Sequence, residues 1–196
     1  KKLSEFALEN GISGFEFMCC IPGSVGGGLQ MNSGCFGTEF KDKLISLQCI
    51  DTNGNIKIIP SDKIKFKYRK IELNENLIFL SATFKGNLSN KNKIKNMMEE
   101  LAAKKNNSQP SKIKTGGSTF KNPIDQTTKK AWQLIKESVP ENINFGDAHI
   151  SKKHSNFFVN KNNASFEEMN SLINYVKKNV KNKTGINISL EIKIID

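Results

Sequence analysis

Four groups of residues in this 196-residue chain are of types that do chemistry. The first is Ile21-Pro22-Gly23-Ser24-Val25-Gly26-Gly27-Gly28, continued by Met31-Asn32-Ser33-Gly34-Cys35-Phe36-Gly37. Successive small residues let backbone N–H groups turn toward a phosphate or pyrophosphate without interference from a Cβ. The spacing is neither G-x-G-x-x-G nor G-x-x-x-x-G-K-[ST], so neither of those nucleotide loops follows, and a tight structural loop reads as well. The second is Ser118, in Thr115-Gly116-Gly117-Ser118-Thr119-Phe120-Lys121-Asn122-Pro123. Two preceding glycines leave its hydroxyl approachable, as a nucleophile, a proton donor or a simple turn residue. No His/Asp pair stands in a recognisable relation to it, which weakens a hydrolase reading. The third is Glu191, on the polar face of the last alternating run, where a solvated strand residue is the ordinary reading. The fourth is Arg69. Lysine and arginine total 30, and Arg69 is the only arginine. A planar, forked, permanently charged guanidinium serves a bidentate site as an ammonium does not. His149 and His154, flanking Ser151-Lys152-Lys153, read as surface-loop histidines able to touch an anion.

These residues need elements to hold them. Residues 1–10 read as a helix with Leu3, Phe6 and Ala7 on one face and Gly11 as its stop. Leu44 to Ile50 reads as a strand, Asp51-Thr52-Asn53-Gly54-Asn55 as a turn and Ile56 to Ile59 as the returning strand. Lys65-Phe66-Lys67-Tyr68-Arg69 follows, and the apolar run Leu77 to Phe84 is expected to be a buried strand. At Gly86-Asn87-Leu88-Ser89-Asn90 the composition turns polar, an expected domain boundary. A helix then carries Ile94, Met97, Met98, Leu101 and Ala102 on one stripe. A second helix, near Lys129–Lys136, presents Ala131, Leu134 and Ile135. Ser155 to Asn160 reads as a short strand. Ser165 and Glu168 form a capping-box pattern opening a helix with Phe166, Met169, Leu172, Ile173, Val176 and Val180. The closing run alternates Ile188, Leu190, Ile192 and Ile194 with Ser189, Glu191 and Lys193, as a strand does. Hairpins mixed with amphipathic helices, without regular βαβ alternation, predict an α+β fold.

Composition bounds the function. The chain is 37% hydrophobic and 25% charged, enough for a packed core. No apolar run approaches the ~18 residues of a bilayer span, and no signal-peptide pattern opens the chain. Cys19, Cys20, Cys35 and Cys49 contain no C-x-x-C pair, and with two histidines no zinc spacing can be assembled. The thiols are expected to be reduced, in the cytoplasm. The net charge of +11 favours anionic partners. The lysines are scattered among asparagines without interleaved aromatics, so nucleic acid is not the expected one. The opening Lys1-Lys2-Leu3-Ser4-Glu5 reads as the inside of a helix, so a natural N-terminus upstream is expected.

Taken in order, several segments resemble the UDP-N-acetylenolpyruvoylglucosamine reductase (MurB) family of peptidoglycan synthesis. They are residues 21–37, Tyr68-Arg69, Gln109-Pro110, Gly117-Ser118-Thr119-Phe120-Lys121-Asn122-Pro123, Gly146-Asp147-Ala148, His154-Ser155-Asn156-Phe157 and Leu190-Glu191. The resemblance covers essentially the whole chain, and Ile-Pro-Gly-x-Val-Gly-Gly and Gly-Ser-x-Phe-Lys-Asn-Pro are its specific segments. It implies an FAD enzyme that takes hydride from NADPH and reduces the enolpyruvyl group of a UDP-sugar to give UDP-N-acetylmuramate. It implies FAD contacts at Ile21, Pro22, Gly23, Ser24, Val25, Gly26, Gly27, Asn32 and Gly34. It implies a catalytic set of Arg69, Ser118 and Glu191, substrate contacts at Tyr68, Lys121 and Asn122, and no metal. In fold terms it implies that residues 1–88 are the distal part of a two-lobed FAD-binding domain of the vanillyl-alcohol-oxidase/PCMH-like type. Residues 89–196 would then be an α+β substrate-binding domain, in a monomer.

This sequence departs from the family pattern in places. Cys20 stands where Gly usually precedes Ile-Pro-Gly, and Ile71 where Ser is usual. No tyrosine-bearing insertion lies between Phe84 and Gln109, which resembles the shorter of the family's two substrate-loop types. The family's upstream flavin-binding lobe is not in this sequence. Two other readings stay open: a flavin oxidoreductase of the same fold with another acceptor, and an inactive basic anion-binding fragment.

Overall fold

The apolar periods of the sequence sort into two cores, one in each of two compact units, Lys1–Lys105 and Asn106–Asp196. The computed structural model describes residues 1–73, 76–111 and 113–195.

The first unit opens with α1 (Lys2–Glu9), which ends where Gly11 takes φ +66. Leu3 and Ala7 pack inward as expected, but Phe6 is exposed and the small Ser4 is buried in its place, its hydroxyl donating to the Lys1 carbonyl at 2.8 Å. Next come β1 (Ile12–Ser13), a 3-10 turn (Glu16–Cys20), α2 (Val25–Gln30), β2 (Gly34–Cys35), β3 (Thr38–Glu39) and a second 3-10 turn (Phe40–Asp42). Then β4 (Leu44–Ile50) and β5 (Ile56–Pro60) form the expected hairpin. Asp51 closes its turn by accepting from the Asn53 and Asn55 amides, each at 2.9 Å. A further 3-10 turn (Ser61–Lys63) leads to β6 (Lys65–Lys67), β7 (Lys70–Glu72), β8 (Ile78–Phe84) and β9 (Asn87–Leu88).

Strand β4 is central in a three-stranded antiparallel sheet, between β5 and β8. Its Leu44, Leu47 and Cys49 face the core. The run around β8 was expected to be buried, yet Ile78 is 69% and Leu80 49% exposed. Strand β8 flanks the sheet with one covered face, and only Phe79, Ala82 and Phe84 turn to the core. On the open face Ile50 stands in register with both Ile56 and Ile78. The polar segment 86–90, expected as a domain boundary, is instead pinned within the first unit. Leu88 pairs with Ile12, and the Ser89 amide donates to the Gly11 carbonyl at 2.8 Å. Helix α3 (Lys91–Ser108) then sends Leu101 into the first core, and Lys105 Nζ donates to the Cys20 carbonyl at 2.7 Å. The division between the units therefore falls in the last turn of α3. The four cysteines are free thiols. Burial, then the neighbouring Cys20, pushes the Cys19 thiol up to about 12 and that of Cys35 up to about 11.

The second unit is an α+β layer. It comprises β10 (Thr115–Ser118), α4 (Ala131–Ser138), β11 (Asn144–Phe145), β12 (Ala148–Ile150), β13 (Phe157–Asn160) and α5 (Phe166–Thr184). The strands form one antiparallel sheet in the order β10-β13-β12-β11. Ala131, Leu134 and Ile135 of α4 and Leu172, Ile173, Val176 and Val180 of α5 bury against Phe120, Ala148 and Phe158. The capping box holds: Ser165 Oγ accepts from the Glu168 amide at 3.1 Å, and Glu168 accepts from the Ser165 amide at 2.9 Å. Two elements differ from expectation. Hairpin β11–β12 is too short to leave a period in the sequence. The closing run alternates in burial only from Ile188 to Leu190, since Glu191 is half-buried like Leu190 and Ile192 and Ile194 is exposed, and among the described residues it makes one bridge, Phe120 to Leu190. The flat stretch opposite it is bounded by Gly117, at φ +86, and by Pro123, which has no N–H.

Gly146 has φ +54, and a Cβ there would collide with the Glu168 carboxylate that caps α5. Gly146→Ala is expected to lower the unfolding free energy of the second unit by about 2 kcal/mol, from a lost cap and a strained backbone. Gly54→Ala, at φ +86 in open space, isolates the backbone strain alone and is expected to lower the unfolding free energy of the first unit by about 1 kcal/mol. Urea denaturation followed by circular dichroism measures both.

Candidate functional site

The glycine-rich segment expected as a loop contains a short helix. Ser24 caps α2: its Oγ accepts from the Gly27 amide at 3.1 Å, and its carbonyl accepts from the Gly28 amide at 2.9 Å. The glycines divide into two kinds. A Cβ on Gly28 would lie 2.5 Å from the Phe40 ring, and one on Gly34 would lie 2.7 Å from Glu39 Cγ, so packing demands glycine at both. Gly23 and Gly26 have no atom within 4 Å of where a Cβ would stand. Gly26 lies inside a helix, where glycine is about 1 kcal/mol less stable than alanine, and nothing inside the unit requires it. Bare backbone open to the outside is what close approach of a pyrophosphate needs, so the segment fits such a group.

Around it, Pro22, Gly23, Ser24 and Val25 are exposed, Gly26 is half-buried, and Ile21 packs on the first core. Gly27 is exposed, with only Ser24 Oγ near its missing Cβ, at 3.4 Å. Asn32, expected to contact a cofactor, is fully buried, at φ +37. Its Oδ1 accepts from the Lys41 amide at 3.1 Å, and its Nδ2 donates to Glu39 at 2.9 Å and to the Lys67 carbonyl at 3.4 Å. Asn32 therefore ties the glycine segment to the base of the Arg69 turn.

That turn is a two-residue connection. Lys67 pairs with Lys70, leaving Tyr68 and Arg69 at the tip. Arg69 has φ +54, a left-handed conformation that disfavours a residue with a Cβ by about 1 kcal/mol or more. Its guanidinium carbon lies 4.8 Å from the Tyr68 ring centroid, a cation–π stack that restricts the side chain. Below the tip Glu72 pairs with Lys67 at 2.8 Å and Lys70 at 3.1 Å, which hold its carboxyl down at about 2. Strain of this kind collects at functional positions.

In the second unit Gly117 puts a bulge into β10. Its partner register shifts between Thr115–Val159 and Ser118–Phe157, and Ser118 ends the strand half-buried. The C-terminal segment runs alongside. The Glu191 amide donates to the Thr119 carbonyl at 2.9 Å, and the Lys121 amide donates to the Ser189 carbonyl at 2.8 Å. Ser118 and Glu191 thus stand on adjacent segments of one unit, while Arg69 and Tyr68 belong to the other. Lys121 is half-buried. Asn122 Oδ1 accepts from the Ala131 amide at 3.0 Å, so it caps α4, a role its type and position in the sequence did not announce.

Three more side chains complete the surroundings. Asn156, only 4% exposed, accepts from the Phe120 amide at 2.9 Å and donates to the Phe120 carbonyl at 2.8 Å. Sequence reasoning assigned it no role, because a lone asparagine before two phenylalanines carries no periodic signal. His149 lies in β12, not in a loop. His154 is half-buried, 4.8 Å from the Phe157 ring and 6.1 Å from Trp132, and burial lowers its pKa below the ordinary 6.5.

With the geometry in hand, comparisons with known proteins agree with one another. A family model described as UDP-N-acetylenolpyruvoylglucosamine reductase, C-terminal domain, matches residues 109–195. The chain is 65% identical over 195 residues to the UDP-N-acetylenolpyruvoylglucosamine reductase of Pelagibacter ubique (strain HTCC1062), covering 100% of this chain and 65% of that protein. It is 44% identical over 193 residues to the reductase of Rickettsia bellii (strain RML369-C), covering 98% and 63%. The crystal structure of UDP-N-acetylenolpyruvylglucosamine reductase (MurB) from Thermus caldophilus matches with a TM-score of 0.82 and 29% identity, over 97% of this chain and 67% of that one. The chain therefore spans just under two thirds of the length of these first two relatives.

Two outcomes follow from the site geometry. Arg69→Gly relieves the left-handed strain and Arg69→Ala keeps it, so the Gly variant is expected to be the more stable by about 1 kcal/mol in thermal unfolding, the reverse of their order in a helix. His154 binds its proton more readily in the unfolded chain than in the folded one. Stability is therefore full above pH 6.5 and falls as pH drops below it toward the folded pKa. Melting curves between pH 5 and 8 are expected to show a smaller acid loss in His154→Gln than in the parent.

Proposed function

We propose that the chain belongs to the UDP-N-acetylenolpyruvoylglucosamine reductase (MurB) family and that the protein converts UDP-N-acetylglucosamine enolpyruvate to UDP-N-acetylmuramate, a reading that the 65% identity to the Pelagibacter ubique reductase supports. FAD, when bound, supplies the hydride chemistry, with NADPH as the donor. The first unit serves as the distal part of the FAD-binding domain, and the second as the substrate-binding domain. Gly23 to Gly27 hold the FAD pyrophosphate against open backbone, a role supported by the unexplained glycine at 26. Asn32 and Gly34 act one step behind, by holding the segment's shape.

The substrate chemistry accounts for the residue types. Hydride arriving at the enol ether leaves negative charge conjugated with the substrate carboxylate. The Arg69 guanidinium, stacked on Tyr68, stabilises that charge better than a mobile ammonium. Ser118 gives its hydroxyl proton to the neighbouring carbon, as general acid. Glu191 holds and polarises the enolate end through a hydrogen-bonding proton. Tyr68 and Lys121 contact the substrate, and Asn122, next to Lys121 in the chain, fixes the start of α4. The bond from the Glu191 amide to the carbonyl of Thr119, the residue after Ser118, supports this reading, because it puts a hydroxyl and a carboxyl on adjacent segments. The +11 charge suits a UDP-sugar and NADPH. Among the described residues no helix is long and apolar enough to cross a membrane. A cytoplasmic monomer without nucleic-acid partners completes the proposal.

Two measurements test it. FAD titrated into the 196-residue chain is expected to show saturable quenching of flavin fluorescence. In a protein of the relatives' full length, Ser118→Ala is expected to keep normal flavin reduction by NADPH while flavin reoxidation by the enolpyruvyl UDP-sugar slows by about 10²- to 10⁴-fold. Unchanged turnover in Ser118→Ala would remove the general-acid role. Reoxidation by other acceptors but not by this substrate would point to a different oxidoreductase of the same fold.

A further inference from the structure

Ser118 sits where a regular sheet gives out. Beyond the bulge at Gly117, β10 pairs with β13 at Ser118–Phe157 and goes no further as a strand. Thr119 and Phe120 are buried all the same, so their backbone groups require partners. Asn156 supplies them. Its carbonyl accepts from the Thr119 amide at 2.8 Å. Its side chain then behaves as one more peptide group, closing on both the N–H and the C=O of Phe120. This is the pair of hydrogen bonds that two opposed residues of an antiparallel ladder exchange, with a side-chain amide standing for the second strand. On the opposite edge the Glu191 amide takes the Thr119 carbonyl, and the Lys121 amide takes that of Ser189. The segment that follows Ser118 is thereby held from both edges, by Asn156 on one side and by the segment of Glu191 on the other.

We infer that Asn156 is a positioning residue: its side-chain amide, by completing the ladder past Ser118, sets where Ser118 and Glu191 stand relative to one another. The inference rests on the general-acid reading of Ser118. Asn156 touches no reacting atom, so its effect is confined to the half-reaction that uses Ser118. Truncating the amide leaves both backbone groups of Phe120 buried without partners, and the segment moves to find water. Small displacements of this kind are enough to slow a positioned proton transfer.

The test uses stopped-flow kinetics on the FAD-loaded reductase at the relatives' full length, with Ser118→Ala, Asn156→Ala, Asn156→Asp and the Ser118→Ala/Asn156→Ala pair. The Asp variant keeps the side chain's shape and its acceptor for the Phe120 amide but loses the donor to the Phe120 carbonyl. It carries the test if the Ala variant does not fold. The expected result is a 10- to 100-fold slower flavin reoxidation by saturating enolpyruvyl substrate in either Asn156 variant. Substrate KM and the rate of flavin reduction by NADPH stay unchanged, and the double variant is no slower than Ser118→Ala alone. Equal slowing of both half-reactions, or losses that multiply in the double variant, would overturn the positioning role. So would normal reoxidation in Asn156→Asp. If Ser118→Ala itself reoxidises normally, the general-acid reading fails first, and the inference fails with it for that distinguishable reason.

Discussion

Bent backbone that must nevertheless be buried is the constraint on which the rest of this structure depends. The residues proposed to do chemistry lie on segments that a regular ladder cannot follow, since Gly117 has turned one strand and Asn32, Phe36 and Arg69 all adopt positive φ near another. Each such segment needs hydrogen-bond partners that secondary structure does not supply. Two buried asparagines supply them. Asn32 satisfies the Lys41 amide and reaches Glu39 and Lys67; Asn156 satisfies Phe120 at both its backbone atoms. Asparagine suits the task because its amide offers donor and acceptor together, at the geometry of a peptide group.

The same logic separates structural glycines from open ones. Helix α2 contains three glycines in six residues, a composition that does not make a stable helix by propensity. It is held by the Ser24 cap at one end, by Leu29 buried in the core, and by Gly28 lying against Phe40. Once those contacts fix the helix, Gly26 is left with no internal reason to be glycine. The position is therefore visible only after the packing has been worked out, which is why the run of glycines alone could not be told from a tight turn.

What the sequence made legible follows the strength of its local signals. The β4–β5 hairpin has both an alternating pattern and an Asx turn, and α5 has a capping box at one end and Gly185 in the left-handed region at the other. Both were read correctly from residue types. The apolar run at β8 misled because period and hydrophobicity do not say whether a strand is central or flanking. The polar stretch 86–90 misled because polarity marks exposed side chains, whereas the backbone there is tied to Gly11 and Ile12, far earlier in the chain. That Ser118 and Glu191 would belong to one site was implied by family likeness and not by spacing, since more than seventy residues separate them; the structure puts them on adjacent segments. The capping role of Asn122 and the ladder role of Asn156 left no pattern, because a hydrogen bond from one side chain has no periodicity.

The left-handed turn at Arg69 has a consequence that lies in the genetic code. The arginine codons AGA and AGG are one base from glycine codons and one base from lysine codons. A change to glycine would relax the backbone of the β6–β7 tip, and a change to lysine would match the residue that this chain uses for every other fixed positive charge. With either of those codons, backbone comfort and the chain's preference for lysine would each pull away from arginine by a single nucleotide, against the shape of the guanidinium.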